Sequence, residues 1–175
     1  MDKNIIFRPV EEKDALGWVI LKNMVWRDAY KDIFPEEVFL AKERNVDEKV
    51  KSFNERIYNN NEKIAYVAEH KGEIVGLMLG TINSNYDYFK NEYADLVALY
   101  INPEFQGNGI AHNLKEIFIK WAKTQEANKF VIGVLKDNHK ARKVYEAWGG
   151  KLADYETDFY QLGKPYKEVF YTYDI

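Results

Sequence analysis

Residues 96–111 read LVALYINPEFQGNGIA, and this stretch decides the fold class. Its apolar run, residues 96–101, is typical of a strand that is buried on both faces, and Pro103 ends that run. Gly107 and Gly109 follow, and apolar residues then recur on one face of a helix. The stretch therefore predicts a strand, a tight turn and a helix N-terminus. The first amides of such a helix, with its dipole, form an anion site suited to a pyrophosphate.

Two common phosphate-binding loops do not fit this turn. A Walker A loop requires Gly-Lys-Ser/Thr, whereas Gly109 precedes Ile110 here. A dinucleotide-binding fingerprint needs a third small residue where this chain has His112. On the glycines alone, a turn that only joins a strand to a helix is an equal alternative.

A second polar segment, residues 135–150, reads LKDNHKARKVYEAWGG. Asp137 or Asn138 can cap the short helix that it predicts. Asn138, Arg142 and Tyr145 are spaced at i, i+4 and i+7, so they share one helical face and can contact a polar ligand. The alternative is that Asn138 is only a cap, that Arg142 is solvated and that Tyr145 is half-buried.

Taken together, the two segments resemble two motifs of the GCN5-related N-acetyltransferase (GNAT) superfamily. The turn QGNGIA, residues 106–111, is similar to the acyl-CoA-binding motif of that family, with alanine at a last position that is often glycine. Residues 138–149, NHKARKVYEAWG, resemble its second CoA-side motif, and the opening RPVEEKDA, residues 8–15, also matches. The order of elements resembles the family over nearly the whole chain.

The resemblance implies acetyl-CoA as co-substrate and assigns its binding residues. The backbone of the strand should pair with the pantetheine arm as an added strand, and the turn amides should hold the pyrophosphate. Asn138 should touch the pantetheine, with Arg142 or Lys143 near the nucleotide end. The cofactor-binding set is therefore Leu99, Tyr100, Ile101, Gln106, Gly107, Asn108, Gly109, Ile110, Ala111, Asn138 and Arg142.

Catalysis by direct attack of an amine in a ternary complex also follows from the resemblance. Tyr145 matches the position that often protonates the departing thiolate, and a backbone amide of residues 99–101 would stabilise the carbonyl oxygen. Asp95 is the candidate base that the resemblance implies, because it precedes Ile101 by six residues on the same strand, where some members of the family carry a carboxylate base. Strand alternation would place it on one face with Val97, Leu99 and Ile101. Glu92 and a water chain are the rivals, and Asp95 is equally well read as a solvated charge at a strand end.

The acceptor site should be built from the first helices and the loop of residues 83–91. Trp26 and Tyr30 lie one helical turn apart and can line it, although ordinary core is the better reading of Trp26. Tyr86, with the neighbouring Asp87 and Tyr88, gives the loop a character suited to a cation. These features predict a primary amine of a small molecule or peptide as acceptor. The alternatives are a non-catalytic acyl-CoA-binding sensor, and a transferase for a longer acyl chain or an O-acceptor.

The remaining sequence predicts one α+β (mixed α/β) domain over residues 1–175. Apolar residues at near-helical spacing predict a helix over about residues 11–30, and residues 64–68 and 74–82 predict a hairpin. The order is strand, two or three helices, three strands, helix, strand, helix and two strands. We expect a largely antiparallel, twisted sheet of about seven strands with a splayed acyl-CoA-binding pair, flanked by about four helices. The helical apolar positions are Leu16, Val19, Ile20, Met24 and Trp26.

Composition excludes several classes of protein. The 175 residues include no cysteine, which rules out disulfides, thiolate metal sites and cysteine nucleophiles, and no metal is expected. A net charge of −3 gives no electrostatic case for nucleic acid or a membrane surface. Residues 1–4 lead directly into a strand-like run, so we expect no signal peptide and a cytoplasmic protein. A homodimer formed through the late strands is left open by the resemblance.

Overall fold

The computed structural model describes residues 4–58 and 60–175, which form one seven-stranded sheet with helices on both faces. The sequence interpretation of residues 1–3 as the start of a chain without a signal peptide lies outside the described residues. Asn59 is likewise outside the described residues. Among the described helices, none has the length and apolar character needed to cross a bilayer.

The order of the elements along the chain is the one predicted. The strands are β1 (Ile6–Pro9), β2 (Lys63–His70), β3 (Glu73–Thr81), β4 (Ala94–Ile101), β5 (Lys129–Leu135), β6 (Lys151–Gln161) and β7 (Lys164–Asp174). The α-helices of the described residues are α1 (Ala15–Tyr30), α2 (Glu36–Glu43), α3 (Val46–Phe53), α4 (Ile110–Thr124) and α5 (His139–Ala147). The mixed α+β class is thus confirmed, with five helices where about four were expected.

The sheet is antiparallel throughout except at its centre. Its strand order is β1-β2-β3-β4-β5-β7-β6, and β4 and β5 are the parallel pair. These two strands are in register only at Ala94↔Phe130 and Asp95↔Val131. Beyond these pairs they are no longer hydrogen-bonded to each other, so the predicted splayed pair is present.

A β-bulge interrupts β4 where the strand reaches this splay. Leu79 pairs with Ala98 and Thr81 with Asp95, so β4 has one residue more than β3 between the paired positions. An extra residue reverses the alternation of side chains beyond it. The even-numbered residues before the bulge and the odd-numbered residues after it therefore lie in the same core cluster, namely Ala94, Leu96, Leu99 and Ile101.

The bulge overturns one sequence prediction. Asp95 was expected to share a face with Leu99 and Ile101, whereas those two residues pack in the core cluster against α4. Ala98, which follows the bulge, packs on the opposite face of the sheet, in the cluster formed with α1 and α3. Strict alternation of side chains along a strand does not take a bulge into account. The prediction that Asp95 shares a face with Leu99 and Ile101 is therefore wrong.

Helix α1 forms as predicted but buries a different stripe. Trp18, Leu21 and Val25 pack against β2 and β3. Of the five apolar positions that predicted the helix, only Val19 and Trp26 are buried. The other three, Leu16, Ile20 and Met24, are 41% to 55% exposed. The helix has apolar residues on two faces, so its periodicity alone could not show which face meets the sheet.

Candidate active site

A cleft of about 910 Å³ opens where β4 and β5 diverge. Its walls come from these two strands, the C-terminal end of α1, the turn before α4 and the first turns of α5. The predicted residues that line it are Tyr30, Leu99, Tyr100, Ile101, Gln106, Gly107, Gly109, Ile110, Ala111, Asn138 and Tyr145. The predicted residues that do not are Trp26, Tyr86, Asp95, Asn108 and Arg142.

The turn between β4 and α4 has the backbone that an anion site needs. Gly107 and Gly109 have φ values of 76° and 75°, which side-chain-bearing residues rarely adopt. No atom lies within 4 Å of the position that a Cβ on Gly107 would occupy, so the turn is open to a ligand. Asn108 is exposed, and its Nδ2 donates within the turn to the carbonyl oxygens of Phe105 and Gln106.

Two side chains tie this turn to the rest of the cleft. Gln106 Nε2 donates to the carbonyl oxygen of Ile101 at 3.2 Å. Lys140 Nζ donates to Gln106 Oε1 at 2.7 Å, and both residues line the cleft. A cation of α5 therefore lies beside the turn whose amides would hold a pyrophosphate. The sequence interpretation missed Lys140, although it lies inside the second motif.

Arg142 is engaged elsewhere. Its Nε donates to the hydroxyl of Tyr171 at 3.0 Å, and one terminal nitrogen donates to the carbonyl oxygen of Lys136 at 2.9 Å. Two residues correspond to about 200° around a helix, so Arg142 faces away from the position that Lys140 takes. The structure thus gives Arg142 a role in fixing α5 to the sheet, and it places Lys140 at the predicted anion site.

The wall formed by β4 and α5 exposes apolar side chains to the cleft. Val97 is 45% exposed and Val144 is 40% exposed, and both line the cleft. Apolar groups in a cleft are free to be covered by an apolar stretch of a ligand. The splayed strands, the open glycine turn and this apolar wall together fit an acyl-CoA with its pantetheine arm between β4 and β5.

Tyr145 lies on the same wall, in α5. Burial raises the pKa of its phenol, and the neighbouring phenols of Tyr100 and Tyr173 raise it further. The phenol is therefore a neutral proton donor at physiological pH. Within the described part of the chain, its hydroxyl has no hydrogen-bond partner, whereas its backbone oxygen accepts from Tyr173 at 2.9 Å. The hydroxyl is free to serve a ligand in the cleft.

Asn138 joins this wall to the first helix. Its side-chain oxygen accepts from the amide of Ala141 at 3.1 Å, which confirms the predicted cap of α5. Burial raises the pKa of Tyr30 most, the phenols of Tyr100 and Tyr145 add to it, and a hydrogen bond with Asn138 opposes them. Tyr30 therefore lies in the cleft beside Asn138, on the wall that α1 provides.

Trp26 supports the cleft from behind. It is 8% exposed and packs in an aromatic cluster with Phe34 and Phe159. Its indole Nε1 donates to the hydroxyl of Tyr100 at 2.9 Å. The interpretation of Trp26 as core is therefore the correct one, and its contact with the cleft passes through Tyr100.

Asp95 is buried, not solvated. Only 4% of it is exposed, and Ser84 Oγ donates to its Oδ2 at 2.8 Å. Burial raises its pKa to about 6, a hydrogen bond from Ser84 opposes the rise, and the charge of Glu168 adds to it. The reading of Asp95 as an exposed strand-end charge is wrong, while its rival Glu92 is exposed.

Glu168 of β7 is a carboxylate that the sequence interpretation missed. The hydroxyl of Tyr86 donates to its Oε2 at 2.8 Å. Its Oε1 lies 2.8 Å from the position of a Cβ on Gly133, a residue of β5 that lines the cleft. Burial raises the pKa of Glu168, and the bond from Tyr86 opposes the rise. No local motif marks Glu168, because its neighbours come from distant parts of the chain.

A splayed parallel pair beside an open glycine turn is the arrangement that the resemblance to the acetyltransferase superfamily implies. A family model described as the acetyltransferase (GNAT) family matches residues 21–149. The chain therefore belongs to the GNAT acetyltransferase family, as the resemblance implied.

Solved structures share the fold at low sequence identity. An N-acetyltransferase from Staphylococcus aureus Mu50 superposes with a TM-score of 0.71 at 22% identity, covering 98% of each chain. A ribosomal-protein-alanine N-acetyltransferase from Brucella melitensis superposes with a TM-score of 0.72 at 17% sequence identity, and the match covers 97% of this chain and 99% of that one. PaiA N-acetyltransferase from Thermoplasma acidophilum, in complex with coenzyme A, superposes with a TM-score of 0.68 at 19% sequence identity. This match covers 94% of this chain and 98% of that one.

Proposed function

We propose that this chain transfers an acetyl group from acetyl-CoA to a primary amine of a small molecule or peptide, by direct attack in a ternary complex. The observation that carries the proposal is the position of Tyr145. Its neutral, unpartnered phenol lines the same cleft as the open glycine turn. A proton donor and an anion site in one cleft suit the release of a thiolate from a pyrophosphate-bearing carrier.

Each residue of the cleft then has a defined task. The amides of the turn, with Lys140 beside them, hold the pyrophosphate. The bound acyl-CoA supplies an activated thioester, and the β4 backbone near Leu99 orients it as an added strand. Tyr145 gives its proton to the departing sulfur. Tyr30, on the α1 side, lines the approach of the amine.

The test combines binding and turnover. We expect acetyl-CoA to bind in calorimetry, and thiol release to depend on an amine from a panel of n-butylamine, 2-phenylethylamine, glycinamide and an alanine-terminated peptide. Tyr145→Phe removes only the hydroxyl, so kcat should fall by about 10²-fold or more while acetyl-CoA affinity stays within twofold.

Two results would each overturn one part of the proposal, the first the transfer itself and the second the role of Tyr145. Binding of acetyl-CoA without turnover on any amine would favour the sensor alternative. Full activity of Tyr145→Phe would remove this residue as the acid and leave the transferase intact. An acyl-chain series from acetyl-CoA to octanoyl-CoA would show whether the acetyl group is preferred.

A further inference from the structure

Glu168 of β7 lies next to the cleft, beside Gly133, and its charge acts on Tyr30 and Tyr100, which line the cleft as Gly133 does. It stands opposite Leu135 in the β5–β7 register, and its Oε1 rests against Gly133. Gly133 has no side chain, and this leaves room for the carboxylate between β7 and the splayed strand. Any larger residue at position 133 would occupy the space that Oε1 now takes.

The carboxylate is oriented by one hydrogen bond. Tyr86 donates to Oε2, and the ring of Tyr86 is itself packed edge-on against Phe170 with centroids 4.6 Å apart. Oε2 is therefore fixed by the protein, while Oε1 is directed toward the cleft strand. A carboxylate with one oxygen held and the other free is pre-oriented to take a proton or an ammonium group.

No cation of the protein neutralises this group. In the part of the chain that the structure describes, no Lys, Arg or His nitrogen lies within 4.0 Å of the Glu168 carboxylate. A half-buried carboxylate without a cation is costly unless a ligand supplies the charge. The titratable side chains that feel its charge are Tyr30 of α1, Tyr86 of the loop, and Asp95 and Tyr100 of β4.

We propose that Glu168 binds the ammonium group of the acceptor through Oε1 and removes its proton, so that the acceptor is a primary amine that is cationic in solution. This assignment rests on the proposed acetyl transfer. It replaces Asp95 as the base, because the Asp95 carboxyl is almost fully buried and accepts a hydrogen bond from Ser84. Glu168 is only partly buried, and its Oε1 lies next to Gly133, which lines the cleft.

The step balances in atoms and charge. Glu168 takes one proton from the ammonium, and the freed lone pair of the nitrogen forms the C–N bond to the acyl carbon. As the C–S bond breaks, its electron pair stays on sulfur, which takes the proton of Tyr145. The second nitrogen proton restores the Tyr145 phenol through solvent, and Glu168 releases its proton to solvent when the amide leaves. One amide, one thiol and one proton result.

Glu168→Gln in the full chain tests the assignment. The amide oxygen of Gln can still accept from Tyr86, so we expect the fold and the acetyl-CoA affinity to be kept. With a panel amine that the wild-type protein acetylates, kcat/KM at pH 7 should fall by about 10²-fold or more. Asp158→Asn is the matched control, because Asp158 is a carboxylate of the same hairpin that pairs with Lys167 at 2.9 Å.

The pH profile separates a base from a structural residue. In the wild-type protein, kcat/KM should rise with pH as Glu168 ionises and then level off. Burial raises the pKa of this carboxyl, so the rise lies above the range of an exposed glutamate. In Glu168→Gln, the rise of kcat/KM that follows the ionisation of Glu168 should disappear. Instead, kcat/KM should rise about tenfold per pH unit, in step with the concentration of the free amine.

The outcomes are decisive in each direction. If Glu168→Gln keeps kcat/KM within threefold of the wild-type value and shows the same pH dependence, the assignment of Glu168 as the base is overturned, while acetyl transfer stands. If the wild-type protein binds acetyl-CoA but acetylates no panel amine, the proposed function falls and the assignment with it. Should Glu168→Gln not fold, Tyr86→Phe decides, because loss of the orienting hydroxyl must lower kcat/KM about tenfold, and an unchanged value overturns the role of Glu168.

Discussion

At the scale of single residues, Asp95 is a carboxyl group that the fold buries without a cation. Its described surroundings are the hydroxyl of Ser84 and the charge of Glu168, and no ion pair involves it. Such a group is more readily buried in its neutral form. With a folded pKa of about 6, it keeps its proton to higher pH than an exposed aspartate does.

This shift makes stability depend on pH. Because the folded pKa lies above the ordinary value of 3.8, the contribution of Asp95 to stability is fully present below about pH 4 and is lost as the pH rises through 6. Asp95→Asn should therefore raise the free energy of unfolding at pH 8 by about 3 kcal/mol, and change it little at pH 4. Urea unfolding at both pH values measures this. An equal change at both would show that ionisation of Asp95 is not the cause.

At the scale of elements, the turn from β4 into α4 combines two glycines at positive φ with an open surface. Gly109 has a positive φ and directly precedes the helix, so its neighbours present amides with no intrahelical acceptor. The same turn is anchored by Gln106 to β4 and through Lys140 to α5. The binding of an anion here thus depends on three elements that meet at one turn.

Gly109→Leu tests the turn as the pyrophosphate site. A leucine would strain the positive φ and cover the amides, so we expect acetyl-CoA affinity to fall at least tenfold in calorimetry. Gly163→Leu is the control, because Gly163 has a φ of 78° in the β6–β7 hairpin, with nothing within 4 Å of the position that a Cβ would occupy. If both variants lose the same affinity, backbone strain and not the site explains the effect.

At the scale of the whole molecule, the sheet has two parts joined at a narrow seam. Strands β1–β4 and strands β5–β7 meet through the two residue pairs of the β4–β5 ladder. The α4 helix crosses this seam, because its residues pack in one core cluster with side chains of both parts, among them Met78 and Phe130. A ligand in the cleft would contact both β4 and β5 and so bridge the same seam.

Bound acetyl-CoA should accordingly stabilise the whole fold. At a concentration of 100 times Kd, binding to the folded state adds about 2.7 kcal/mol. For a chain of this size, the unfolding midpoint should rise by about 5 to 10 °C. Differential scanning fluorimetry with acetyl-CoA measures the shift, and adenosine, which lacks both pyrophosphate and pantetheine, serves as control. An equal shift with adenosine would place the binding energy outside the turn and the splay.

The sequence by itself determined the order of the elements, the glycine turn and the two CoA-side motifs. Each of these features depends on a few consecutive residues. In residues 106–111, for example, the glycines permit the positive φ values and the start of the helix provides the free amides. The cap at Asn138 follows from its residue type at the start of the helix, and the resemblance marked Tyr145, which lines the cleft, as a site residue. The helical spacing that grouped both with Arg142 did not place Arg142 in the cleft.

Only the tertiary structure decided which acidic and basic side chains reach the cleft. One extra residue in β4 turned Asp95 away from the predicted face, and helical rotation placed Lys140 at the turn in place of Arg142. Glu168 and Gly133 meet through the pairing of β5 with β7, across more than thirty residues of chain. Register and bulges are set by packing over the whole sheet, so no local pattern could have shown these contacts.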